Sequence, residues 1–179
     1  MANCPANDNL GVLAAALEQA CVELMAGYGV RATVQPAENQ THPPGSPMVA
    51  AVDFSSHQVR GTVTFRASQS VIAQTARGAA GMTADPNGFL ADWTCELTNQ
   101  LVGRMKSKLR AYDLTFNVNV PRLLASQNGG ELEHGIRYRF VCESGSFSGY
   151  LDVLIQPGFL LEHNPSAVDS VAEGELVIL

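Results

Sequence analysis

Basic residues are scarce in this sequence. Eleven Lys and Arg stand against seventeen Asp and Glu, a net charge of −6, so the positive footprint that nucleic acid or an anionic lipid surface selects is missing and neither is expected as a partner. Charge of either sign is thin: 16% charged against 46% apolar residues excludes a disordered chain and supplies a sizeable core. Cysteines are few and scattered. Cys4, Cys21, Cys95 and Cys142 form no C-x-x-C and have no histidine at ligand spacing, so neither a zinc site nor a disulfide framework is indicated, and buried free thiols are expected. The opening residues lack the positive segment of a signal peptide, and no apolar run approaches the roughly 20 residues that span a bilayer. A soluble cytoplasmic protein without membrane contact is the expectation. A chain of 179 residues and 19.0 kDa suits one domain with a small appendage rather than two.

Periodicity divides the chain into elements. Apolar residues at Leu10, Leu13, Leu17, Ala20, Cys21 and Leu24 recur at three and four, predicting an amphipathic helix capped by Asp8 or Asn9 and ended by Gly27 and Gly29. Arg31 to Gln35 reads as a short strand before a Pro-rich loop from Pro36 to Pro47. Val49–Phe54 and Val59–Arg66 read as strands joined by the hairpin link Ser55-Ser-His-Gln. Ser68 or Ser70 opens a short helix. Asp85-Pro86 then starts the longest one, which runs to about Tyr112. Leu114–Val120, Ile136–Glu143 and Phe147–Ile155 are strand candidates, the last two an antiparallel hairpin. This grouping predicts an α+β domain, an antiparallel sheet covered by helices, over residues 1–156, with residues 157–179 as a C-terminal extension.

On a wheel of 100° per residue, Leu90, Trp93, Leu97, Leu101, Met105 and Leu109 of the long helix share one side, which faces the core. Asp92, Glu96, Asn99 and Gly103 form a narrow stripe on the other, continued by Lys106 and Arg110. A polar outer face is ordinarily just solvated. Two features set this one apart. Glu96 has no cation three or four residues away on its own helix, and Asp92 repels it. Gly103, which costs about 1 kcal/mol relative to Ala inside a helix, leaves a notch that either neighbouring atoms of the same chain or a partner must fill.

The run Asp92-Trp-Thr-Cys-Glu96-Leu-Thr-Asn99-Gln-Leu-Val-Gly103, followed by Pro121, resembles the CheX/CheC/FliY family of chemotaxis phosphatases. The resemblance covers roughly residues 8–156. Twenty-one residues separate Asn99 from Pro121, one fewer than is usual in that family, and the glycine four after the asparagine matches its CheX branch. A single motif is evident, whereas CheC and FliY carry two, which also favours the single-site CheX-like domain. The resemblance implies hydrolysis of the aspartyl phosphate of a CheY-like response-regulator receiver domain. Asn99 would orient the attacking water, Glu96 would dock the receiver's lysine, and Asp92 and Gly103 would belong to the docking surface. It further implies no cofactor on this chain, a Mg2+ ion on the receiver, and a homodimer joined at sheet edges, with Val59–Arg66 and Phe147–Ile155 as candidate edge strands.

Two other functions fit the same fold: a module that binds a phosphorylated receiver without hydrolysing it, and a structural part of a flagellar switch or another signalling assembly. A Ser-His-Asp hydrolase is the third alternative, invited by His57 near Asp53, Ser55 and Ser56. No Gly-x-Ser-x-Gly elbow supports it, and hairpin turns collect such residues. His42, His134 and His163 are assigned no role.

Overall fold

The computed structural model describes residues 8–35, 47–77, 86–125 and 135–164. The elements follow in the order α1 (Asn9–Gly27), β1 (Ala32–Gln35), β2 (Met48–Ser55), β3 (Val59–Ala67), α2 (Gln69–Ala76), α3 (Pro86–Leu109), a 3-10 turn (Arg110–Tyr112), β4 (Asn117–Val118), β5 (Arg122–Leu123), β6 (Ile136–Cys142) and β7 (Gly145–Ile155). All seven strands join one antiparallel sheet in the order β1-β6-β7-β3-β2-β4, with β5 also paired to β2. The helices cover one face. The expected α+β architecture is therefore the observed one.

Asp8, rather than Asn9, caps α1: its carboxylate accepts from the Gly11 amide at 2.8 Å, satisfying one of the donors a helix start leaves over. Asn9 instead clasps a segment distant in sequence. Its amide donates to the Phe159 carbonyl at 2.6 Å and accepts from the Leu161 amide at 2.8 Å, and Leu161 is buried. Residues 157–164 thus run back over the helical layer. Against the expectation that no apolar run approaches bilayer length, α1 is by length and composition apolar enough to cross a bilayer, but here Leu13, Leu17, Ala20, Cys21, Leu24 and Met25 form the core of the fold. It sits tightly on β7 because Gly149 has no side chain; a Cβ there would stand 2.6 Å from Cys21 Sγ and 3.2 Å from Leu17 Cδ1.

Three expectations need correction. The strand expected over Leu114–Val120 contributes only Asn117–Val118 to the ladder. Leu114 and Phe116 instead turn into the core, and the Leu114 amide still closes the helix end on the Leu109 carbonyl at 3.2 Å. Val59–Arg66 and Phe147–Ile155 cannot supply an edge, because β3 lies between β2 and β7, and β7 between β3 and β6. Among the described residues β1 and the short β4 and β5 flank the sheet. The three described cysteines are free, but only Cys21 is buried; Cys95 and Cys142 are half-buried. The helix start at Asp85, the loop 36–46 and residues 165–179 lie outside the described residues.

Candidate functional site

The long helix divides its faces as its spacing predicts. Leu97, Leu101, Met105 and Leu109 are buried, as are Thr94, Thr98 and Val102 between them, while Leu90 and Trp93 pack on the core's margin. Thr94 and Thr98 bury their hydroxyls by donating to the carbonyls of Leu90 and Thr94 at 2.7 and 2.8 Å, the usual way a helix tolerates an inward threonine. Trp93 ties α3 to α2 through its indole N–H, which donates to Thr75 Oγ1 at 2.9 Å.

Asp92, Glu96, Asn99 and Gly103 are all exposed. At three- and four-residue spacing they stand in one file along the outer surface of α3, so the structure brings together all four residues that the motif singled out. Their states differ. Asn99 makes no side-chain hydrogen bond within the described residues, leaving its amide free to donate and accept outside the chain. Among the described residues Glu96 has no ion pair; one carboxylate oxygen accepts from Gln100 Nε2 at 2.8 Å. Gln100 is in turn held by the Tyr28 hydroxyl, which donates to its Oε1 at 2.9 Å, and the Tyr28 ring meets Trp93 edge-on at 5.8 Å between centroids. Glu96 is thereby aimed by a neutral clasp that keeps its charge unmatched.

Tyr28 and Gln100 were not singled out by the sequence. Gln100 is four residues from Glu96, a spacing that could have suggested the clasp, whereas Tyr28 arrives from the end of α1 and carries no sequence signal. Gly103 resolves the question its notch posed: a Cβ placed there would meet nothing within 4 Å. Packing within the described part of the chain therefore does not require glycine at this position.

Pro121 stands directly before β5, which pairs Arg122 with Ala51 and Leu123 with Ala50 of β2 and packs beside α3. The position suits a residue that cannot donate to a ladder. Arg122 fastens β5 by a forked contact to Asp53 of β2, at 2.5 and 3.2 Å. Thr62 of β3 donates to the same carboxylate at 2.6 Å. These bonds hold the Asp53 carboxyl below its ordinary pKa.

That network also removes the hydrolase alternative at the hairpin. Asp53 is engaged by Arg122 and Thr62, and Ser56 Oγ closes the turn by accepting from the amides of Gln58 and Val59 at 3.1 Å each. His57 and both serines line an open cleft of about 470 Å³ with Lys106, Asp113 and Phe116. Nothing there orients His57 toward a serine. Among the described residues no cluster of three or more His, Cys, Asp or Glu is placed to hold a metal ion.

Among the described residues a seven-stranded antiparallel sheet lies under three helices, the longest displaying a file of acid, amide and notch, which makes this an α+β domain. The family model described as chemotaxis phosphatase CheX matches residues 48–142, just over half the chain, and the chain belongs to the CheX family. Solved structures agree in fold. The chemotaxis protein CheX of Vibrio vulnificus superposes with a TM-score of 0.65 at 13% identity, covering 79% of this chain and 99% of that one. A CheX from Desulfovibrio desulfuricans gives 0.62 at 15%, with 79% and 99% covered. The CheX-CheY-BeF3-Mg2+ complex from Borrelia burgdorferi gives 0.56 at 10%, with 82% and 98% covered. No curated protein matches the chain in sequence.

Proposed function

We propose that this protein hydrolyses the aspartyl phosphate of a CheY-like receiver domain, with α3 as the docking and catalytic element. The observation that carries the reading is the file itself: a free amide at Asn99, an unmatched and pre-aimed carboxylate at Glu96, and an unfilled notch at Gly103 on one exposed helical face. Family membership supports it, and so does the relative solved in complex with CheY.

An acyl phosphate needs an oriented water and compensation of charge, and little else from the second protein. The receiver would bring its own Mg2+ and lysine, so this chain binds no cofactor. Glu96 would pair with that lysine in trans; its neutral clasp through Gln100 fixes direction without cancelling charge. Asn99 would then accept from the attacking water while its N–H groups face the phosphoryl oxygens. Lowering the barrier by about 2.7 kcal/mol quickens decay about a hundredfold. Asp92 would add attraction at the rim, and Gly103 would let receiver backbone approach α3 closely. A homodimer and a cytoplasmic location complete the reading, with β1 rather than β3 or β7 as the strand open to edge pairing.

The test is receiver dephosphorylation with Glu96 and Asn99 variants. Asn99→Ala should abolish acceleration without loss of helical circular dichroism, and Glu96→Ala should mainly weaken receiver affinity. Unchanged acceleration by Asn99→Ala would overturn the catalytic assignment.

A further inference from the structure

The sheet has a second face that the described helices do not touch. On β6, Ile136, Tyr138, Phe140 and Cys142 belong to or pack on the core, so alternation sends Arg137 and Arg139 to the opposite side. There the register aligns Arg139 with Ser148 of β7 and Ser148 with Arg66 of β3. The next row aligns Arg137 with Tyr150 and Tyr150 with Thr64. Adjacent strands lie about 4.8 Å apart, so two arginine-bearing strands flank a hydroxyl-bearing one within the reach of converging side chains.

These arginines are unusual in their surroundings. Arg139 is only 9% exposed, and its Nη1 is buried without a hydrogen-bond partner, as is Arg137 Nε. Arg137 is held over the Tyr150 ring at 5.0 Å from the centroid. Among the described residues the ion pairs are Lys108–Glu23 and Arg122–Asp53, so Arg66, Arg137 and Arg139 have none. Among the described strand residues the carboxylates on this face are Asp53, committed to Arg122 and Thr62, and Asp152, which the register places across from Thr62. A positive face thus stands on a chain of net charge −6. A buried guanidinium without a counter-charge is costly, and an anion is what removes the cost.

We propose that Arg66, Arg137 and Arg139, with Ser148 between them, form a binding site for the phosphate group of a small soluble ligand, separate from the α3 surface. Phosphate suits the site better than carboxylate. It offers more acceptor oxygens to forked guanidinium donors. The burial of Arg139 excludes a flat bilayer as the source of the phosphate. A second copy of the chain would set arginines against arginines.

The experiment is titration of the full chain with inorganic phosphate at constant ionic strength, read by calorimetry and by Tm, with acetate as the control anion. Saturable binding with a rise in Tm is expected for phosphate and not for acetate. Arg139→Gln and Arg66→Gln should each weaken binding about tenfold or more, Arg139→Lys should retain part of it, and Arg77→Gln, at the exposed end of α2, should retain all. Circular dichroism checks that the variants fold. Equal effects of acetate and phosphate, no saturable binding by the folded wild-type chain, or pelleting with phosphatidylglycerol vesicles that phosphate does not compete would each overturn the proposal. So would an arginine-dependent dimer indifferent to phosphate.

Discussion

Gly103 separates stability from function at a single position. A Cβ there meets open space, so Gly103→Ala should raise stability by about 1 kcal/mol, the ordinary helix-propensity gain, measurable as a higher midpoint in urea. The same substitution should weaken receiver docking, because the new methyl group occupies the notch. A stabilised variant with undiminished affinity would remove Gly103 from the interface. Glu96 and Asn99 were legible in the sequence because helical spacing and the lack of an intrahelical cation are local properties. The clasp on Glu96 was only half legible: Gln100 shares its helix, but Tyr28 is brought to it by tertiary packing alone. Tyr28→Phe removes the hydroxyl that orients Gln100 and keeps the ring against Trp93. It should therefore lower receiver affinity by severalfold with little change in stability, as binding and denaturation measured together would show.

At the level of elements, strong periodicity was a good guide and short pairing was not. The long helix and the hairpin β2–β3 follow directly from their 3.6 and 2.0 repeats. β5, two residues long, was missed because nothing in Arg122-Leu123 marks a strand; a salt bridge to Asp53 and two ladder pairs place it. This bridge carries a pH signature. Hydrogen bonds from Arg122 and Thr62 lower the Asp53 pKa in the folded state, so their stabilisation is present above the ordinary carboxylate range, near 3.9. It is lost as pH falls through the lower folded value. Asp53→Asn should flatten that part of the acid-unfolding curve, modestly because the pair is partly solvated. The α1–sheet contact answers to packing rather than charge. Gly149→Ala should cost about 1–3 kcal/mol, since the added methyl meets Cys21 and Leu17 where neither has room.

For the whole molecule, the α+β class could be read from the order of elements, but the order of strands could not. Nothing in Val59–Arg66 or Phe147–Ile155 reveals that β7 returns to lie between β3 and β6, since a strand covered on one face alternates alike at an edge or in the middle. Nor could the sequence show that residues 157–164 pack back on α1 through Asn9, a contact spanning about the whole fold. The architecture places two chemically different surfaces on opposite sides of one sheet: a helical file with an unpaired acid and amide, and a strand face with unpaired arginines. The central claim concerns the first. It is tested most directly by following the decay of an acetyl-phosphate-labelled receiver domain alone, with this protein, and with its Asn99→Ala variant. Decay accelerated about a hundredfold by the wild-type chain and not by the variant is the predicted result. Phosphorylation-dependent binding without acceleration would contradict it, leaving a module that recognises the phosphorylated receiver.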